Sequence, residues 1–197
     1  MTTRIGLVSD THIPESQKQL WPQVYKAFED VDCIFHGGDV HDLALLDSFE
    51  EIAPIYCARG NGEDGTGGRP VQPEDPRVRY SWVLDVEDLR VGLTHYISVD
   101  EGGPNFTLKK SIDMYFPDET LDVIVFGDTH VELIKTVNGI LCVNPGSPTY
   151  PHNYDTTYGT LGFLDIDGDS ALASVWQITD SGIEPFDWDA TPPWQKR

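Results

Sequence analysis

Short apolar runs in this chain stop abruptly at polar residues of one kind, and that recurrence constrains the fold more than any other feature. Ile5-Gly6-Leu7-Val8 breaks at Ser9 into Asp10-Thr11-His12. Later runs end at Asp39, at Asn61, at His95 and at the pair Asp128 and His130. Runs of this length, rich in Val, Ile and Leu, suit buried strands. Spaced at i and i+2 in extended chain, Asp10 and His12 face the same way. Taken singly, an acid and a His after a strand are ordinary capping and surface residues. Their repetition at so many strand ends goes beyond capping.

Helical periodicity fills the gaps between the first runs. Residues 17–30 set Leu20, Trp21, Val24, Tyr25 and Phe28 on one side, with Pro22 tolerable only near a first turn. Residues 42–52 do the same with Leu43, Leu45, Leu46, Phe49 and Ile52. With strands at 31–35 and 54–58, the order is β-α-β-α-β, which implies parallel strands joined by right-handed crossovers. Residues 60–76 are rich in Gly and Pro and read as a long loop forming a mobile rim or lid. No Gly-Lys-Ser/Thr follows, so this is not a phosphate cradle.

Beyond the loop, 77–86 and 89–93 alternate as an antiparallel pair, 104–116 carries a helical pattern, and 121–126 is an apolar strand. Further short strands are expected at 131–137, 140–143, 157–166 and 171–179, separated by the turns Asn138-Gly139 and Asp167-Gly168-Asp169. The Asp-rich turn lacks the later glutamate of a calcium loop and reads as a hairpin. One domain is expected over 1–183, followed by a peripheral tail, 184–197, that has no periodicity.

Charge narrows the partners. The 33 acidic residues outnumber the 13 basic ones for a net charge of −20. Such a surface repels phosphate backbones and anionic lipid, so neither nucleic acid nor membrane is an expected partner. It also suits a salt-rich cytoplasm, where screening relieves self-repulsion, so a halophilic source is expected. No leader pattern and no membrane-length apolar run is visible, and a soluble cytoplasmic protein is the plain reading. Cys33, Cys57 and Cys142 each sit in an apolar run without a C-x-x-C motif, as reduced core residues do.

In an open α/β sheet, sites form at the carboxyl ends of strands. Several carboxylates meeting there repel one another unless cations neutralise them. A metal site follows, with more candidate ligands than one ion needs.

In chain order, Asp10-Thr11-His12, Gly38-Asp39, Gly60-Asn61, His95 and Gly127-x-Thr129-His130 resemble the motifs of the calcineurin-like metallophosphoesterase superfamily. The short chain and the turn Asn144-Pro145-Gly146-Ser147 are most similar to its small YfcE-like phosphodiesterase branch. The resemblance covers about residues 4–178. It implies an α/β fold, a four-layer α-β-β-α sandwich of two mixed sheets flanked by helices, with two divalent ions at one edge. Asp10, His12 and His130 would hold the first ion, Asn61 and His95 the second, and Asp39 would bridge them. Nitrogen and oxygen donors without thiolate suit Mn, Fe, Zn or Ni, and an oxygen-rich set favours Mn. Such a pair can hold a bridging hydroxide for in-line attack on the phosphorus of a small phosphoester. Asp10, Asp39, Asn61 and His95 are then the catalytic centre. No protein nucleophile is required, and Ser9 and Ser147 lack the elbow that would make one.

Three positions depart from the family pattern. Asp128 replaces an imidazole ligand of the second ion, and is taken as a ligand that makes both ions weaker Lewis acids, the alternative being that it misses the second ion, which is then weakly held or absent. Gly62 stands where many relatives have a general-acid His, which favours good leaving groups and leaves Asp42, whose counterpart orients that His, as a helix cap. Tyr96 follows His95 where Gly is usual, narrowing the pocket. His36 reads as a structural hydrogen-bonder. Arg59, Arg69, His41 and His152 are the candidates for contacting substrate. The alternative to an enzyme is a catalytically weak binding scaffold, similar to the retromer subunit built on this fold. A homo-oligomer is left open.

Overall fold

The computed structural model describes residues 2–99, 107–153, 156 and 158–189. The chain begins with β1 (Thr3–Val8), α1 (Pro22–Ala27), β2 (Cys33–His36), α2 (Ala44–Glu50), β3 (Ile55–Ala58) and the single turn α3 (Asn61–Asp64). It continues with β4 (Val78–Arg79), β5 (Ser81–Val86), β6 (Leu89–Thr94), α4 (Leu108–Tyr115) and β7 (Val123–Val125). The last strands are β8 (Leu133–Val137), β9 (Ile140–Asn144), β10 (Thr160–Asp167), β11 (Ser170–Thr179) and β12 (Gly182–Pro185).

These strands form two mixed sheets. One has seven strands in the order β12-β11-β10-β1-β2-β3-β4, the other five in the order β5-β6-β7-β9-β8. Within the first, β1 to β4 run parallel and β10 joins β1 antiparallel, pairing Ile5 with Leu164. Alternation then sorts the side chains. Ile5, Leu7 and Phe35 face Val91, Leu93, Val123 and Val125 of the second sheet, forming the buried middle layer. Val8, Ile34 and Cys57 point the other way, onto Val24 near Phe28 and onto Leu46 and Phe49. Leu108 and Phe116 cover Ile124 and Cys142 on the far side. The result is the expected α-β-β-α sandwich.

Local corrections have physical causes. The helix expected over 17–30 shrinks to Pro22–Ala27, because proline holds the preceding Trp21 extended (ψ 132°) and thereby sets the helix start. Leu20 and Phe28 are buried on either side of it. The strand expected over 77–86 is two strands in different sheets, with the change made at Tyr80. Trp82 anchors the crossing by donating its indole N–H to Cys57 O at 2.9 Å, while the Arg79 guanidinium lies 4.0 Å from its ring centre. Residues 60–76 are not a plain loop. They open with α3, and Gln72 N–H returns to Glu63 O at 2.8 Å. At the other end β12 reaches Pro185 and Phe186 is buried, two and three residues beyond the expected domain limit. Residues 104–106 of the expected fourth-helix segment, Thr157, and 190–197 of the expected tail lie outside the described residues.

Phe28 is fully buried, edge-on to Phe163 at 5.8 Å and beside Phe49. Phe28→Ala is expected to destabilise the protein by about 3–5 kcal/mol. For a chain of this size that lowers the melting temperature by about 10 °C, measurable by thermal denaturation in high salt.

Candidate metal centre

Three strand ends turn in the same way. Asp10-Thr11-His12 after β1, Asp39-Val40-His41 after β2 and Asp128-Thr129-His130 after β7 each hold both acid and His at left-handed φ. The angles are 54° and 46°, 54° and 72°, and 67° and 56°. For residues with a Cβ this conformation costs on the order of 1 kcal/mol or more, so surrounding bonds must impose it. Asp10 N–H donates to Gly38 O at 2.9 Å, and His12 N–H to Asp39 O at 3.0 Å, stitching the first two turns together. Ser147 Oγ–H donates to Asp10 O at 2.7 Å from the loop after β9.

The expected ligands converge in two overlapping groups. In the first, Asp10 Oδ1 lies 3.5 Å from His130 Nε2 and 4.0 Å from His12 Nε2, and Asp39 Oδ2 lies 3.5 Å from His12 Nε2. In the second, His95 Nε2 lies 3.4 Å from Asp39 Oδ1, 3.5 Å from Asp128 Oδ1 and 3.1 Å from Asn61 Oδ1. Asp39 belongs to both groups through its two oxygens. Asp128, the departure from the family pattern, stands within the second.

Ring orientation says what lies between these atoms. His95 Nδ1–H donates to Gly37 O at 2.7 Å, and His130 Nδ1–H donates to Tyr150 O at 2.6 Å. With Nδ1 carrying the proton, Nε2 is the ring nitrogen turned toward the carboxylate and amide oxygens, and in the neutral form it meets them with a lone pair. His12 Nε2 is buried without a hydrogen-bond partner. Lone pairs facing lone pairs at these distances repel unless a cation sits between, and a backbone-anchored Nδ1 is the usual support of a metal-binding His. The donor set therefore fits divalent ions.

Electrostatics agree for His12 and His130, whereas in the absence of cations the carboxylates hold His95 toward its charged form. Burial, reinforced by His41 and His130, lowers His12 to about 3, and burial lowers His130 to about 4, so both rings are held neutral. Burial raises Asp10 to about 8, despite His95 and the Ser9 hydroxyl at 2.5 Å. Burial opposes charge on His95, yet Asp10 and Asp39 outweigh it and hold His95 above its ordinary value. Burial also raises Asp128. Without cations, this rim carries carboxylates that burial holds back from ionising.

The remaining candidates fall elsewhere. Arg59 is a correction: it is buried, donating from Nη2 to Gln72 O at 2.7 Å and Glu63 O at 3.4 Å, so it braces the 60–76 segment. Arg69 pairs with Glu15. Asp42 accepts from Ala44 N–H at 3.0 Å just ahead of α2, whose N-cap is Leu43, so the expected helix-cap role is not filled. His152 stacks on His130 at 4.4 Å, with Nδ1 3.0 Å from Thr129 O. His41 is buried beside His12, ring centres 4.2 Å apart. Glu63 escaped the sequence reading. Its buried carboxylate accepts N–H bonds from Gly60 at 2.9 Å, Asp39 at 3.1 Å and His41 at 2.9 Å, fixing the Asp39 turn. Its signal was available, an acid three residues after a helix-capping position.

His36 is fully buried and structural. Gly38 N–H donates to Nδ1 at 3.1 Å, which leaves the ring proton on Nε2, 3.1 Å from Thr11 Oγ1. Burial, with His95 and His12 nearby, lowers it from 6.5 to about 3. A folded-state value below the unfolded one gives stability that is complete above pH 6.5 and lost as pH falls toward 3. His36→Asn keeps an acceptor for Gly38 without titrating. In chelator, its stability deficit against wild type is expected to shrink below pH 6.5, by up to about 1.4 kcal/mol per pH unit, in urea unfolding series.

Comparisons bear on this geometry. The calcineurin-like phosphoesterase superfamily domain matches residues 3–169. A protein of Methanothermobacter thermautotrophicus named a probable metallophosphoesterase is 32% identical over 171 residues, covering 87% of this chain and 90% of that one. A phosphodiesterase of Methanocaldococcus jannaschii is 27% identical over 170 residues, covering 82% and 92%. Vacuolar protein sorting 29 from Cryptosporidium parvum superposes with a TM-score of 0.72 at 19% identity, covering 93% of this chain and 95% of that one, a likeness of fold alone. Sequence match and strand-end chemistry point the same way, and the chain belongs to the calcineurin-like phosphoesterase superfamily.

Proposed function

We propose that this protein is a divalent-metal-dependent phosphodiesterase acting on a small phosphoester. The observation that carries the reading is the set of Nε2 atoms turned toward carboxylates while Nδ1 is anchored on backbone oxygen. Asp10, His12 and His130 would hold one ion, Asn61, His95 and Asp128 the other, and Asp39 both. When bound, two such ions supply Lewis-acid charge to phosphoryl oxygens and acidify a coordinated water. Mn is the expected metal, with Fe, Zn and Ni as alternatives, because half or more of the donors are oxygens.

This chain's residues set the rest of the chemistry. Gly62 N–H donates to Asp39 Oδ1 at 2.7 Å, holding the shared carboxylate in place. Gly62 brings no imidazole to protonate a leaving group, which favours esters whose leaving groups depart unaided. The rim is acidic, with Asp64 and Asp128 near Tyr115, and suits a singly charged diester better than a doubly charged monoester. The named phosphodiesterase among its relatives supports the same preference. A cytoplasmic, salt-adapted protein without nucleic-acid or membrane partners completes the reading. Among the described residues, no helix is long and apolar enough to cross a membrane. Retention of Asp10, His12, Asp39, Asn61, His95 and His130 favours an enzyme over a scaffold on this fold.

The test is hydrolysis of bis-p-nitrophenyl phosphate by metal-stripped protein in molar salt, with and without Mn. Metal-dependent turnover is expected. A folded protein inert with every divalent ion would end the proposal. Three carboxylates against two ions also weaken each Lewis acid, so Asp128→His is expected to raise turnover about tenfold, about 1.4 kcal/mol in the barrier. Steady-state kinetics with Mn and Zn check this, and an unchanged or lower rate would remove Asp128 from the account of weak activity.

A further inference from the structure

His41 is the third member of a set whose other two members are metal ligands. It closes the turn Asp39-Val40-His41, which repeats the left-handed acid and left-handed His of the turns at 10–12 and 128–130. The first two turns lie side by side, with Ile13 and His41 forming a parallel bridge and Ile13 N–H donating to Val40 O at 3.2 Å. One ligand nitrogen or oxygen each from His12, Asp39 and His41 fall within 4.8 Å of one another, as do those of Asp10, His12 and His130.

The ring is aimed from behind. Nδ1 lies 2.9 Å from Glu15 Oε2, and the other oxygen of Glu15 is held by Arg69. A carboxylate can only accept, so Nδ1 carries the proton, and Nε2 is the ring nitrogen left to offer a lone pair to a cation. Carboxylate, imidazole and metal in line is a recurrent arrangement in which the outer carboxylate fixes tautomer and ring angle. Residue 62 makes room for it. A Cβ at Gly62 would stand 2.6 Å from His41 Cδ2 and 2.7 Å from Nε2, so the ring takes the volume of any side chain beside Asn61.

We propose that His41 is an additional ligand of the first metal ion, joining His12 and Asp39, with Glu15 and Arg69 as its positioning residues. The inference rests on the metal-centre reading above. It raises the protein donors at that ion from four residues to five, which favours ions that accept octahedral surroundings over tetrahedral zinc. It also gives Gly62 a reason, since that position must stay empty for the ring to reach inward.

The experiment uses full-length apo-protein titrated with Mn, free ion being followed by electron paramagnetic resonance, and a parallel Co titration followed by visible absorption. Wild type is compared with His41→Asn, which tolerates left-handed φ but is too short to reach, and with Glu15→Gln, which keeps the ring but removes its charged acceptor. The tighter Mn site is expected to weaken at least tenfold in His41→Asn and about tenfold in Glu15→Gln, with a changed Co spectrum in the former. Folded variants with wild-type affinity and spectrum would overturn the proposal, as would an increase in KM for substrate with metal binding untouched. Should His41→Asn fail to fold, wild-type affinity in Glu15→Gln overturns it alone. Wild type that binds no divalent ion would instead sink the metal-centre reading from which the proposal starts.

Discussion

Asp39→Asn is expected to abolish metal-dependent hydrolysis, lowering kcat/KM by at least about 1000-fold, or about 4 kcal/mol of transition-state stabilisation. Asn has the same shape, so packing is preserved, and Glu63 still receives the backbone N–H of residue 39. What changes is the charge that both groups share. Asp39 Oδ2 faces His12 and Oδ1 faces His95, and an amide would put a donor where a cation belongs. Metal content per chain should fall along with turnover, while circular dichroism stays unchanged. Activity within tenfold of wild type, with two ions retained, would show that Asp39 does not join the two halves.

Gly127→Ala should be nearly as damaging by a different route. Gly127 follows Phe126 at the end of β7 and donates its N–H to His95 O at 2.9 Å. A methyl there would run into the Ser9 hydroxyl, stand 2.6 Å from Asp10 Oδ2 and lie 3.0 Å from Gly37 O. None of these is the flexible end of a long side chain, so the strain goes into Asp10 and the strand ends themselves. Overpacking of this kind costs about 1–3 kcal/mol of stability. Displacing Asp10 should reduce turnover by about 100-fold, since misplacement on the order of 1 Å has that effect on catalysis. Gly139→Ala is the control, where nothing lies within 4 Å and only its φ of 85° is strained. Equal activity in the two variants would contradict the close contact of the two sheets at this point.

The convergence of Asp10, His12, Asp39, Asn61, His95, Asp128 and His130 was legible because it depends on residue type at the end of an apolar run. The β-α-β-α-β opening was legible for the same reason, its periodicities being strong. The change of sheet at Tyr80 was not, because alternation continues through the break and only the partner strands differ. Nor could sequence separate His36 from His41. They stand five positions apart on one strand end, and their roles are set by Gly38 and Thr11 in one case and Glu15 in the other. Arg59 followed the same pattern. A cation next to a ligand suggests phosphate, but Gln72 O, thirteen residues away, takes its guanidinium.

The pairing of β1 with β10 has a consequence for the order of events in the cell. The strand that leads into Asp10 and His12 is made well before its antiparallel neighbour, which begins at Thr160. Until that segment leaves the ribosome, one edge of β1 has no hydrogen-bond partner and Leu164 and Ile166 are missing from the middle layer. Contacts so distant in sequence make folding slow and leave an open strand edge exposed in the nascent chain. The rim at the strand ends, though its residues all precede β10 in the sequence, can become rigid only once translation has passed β10.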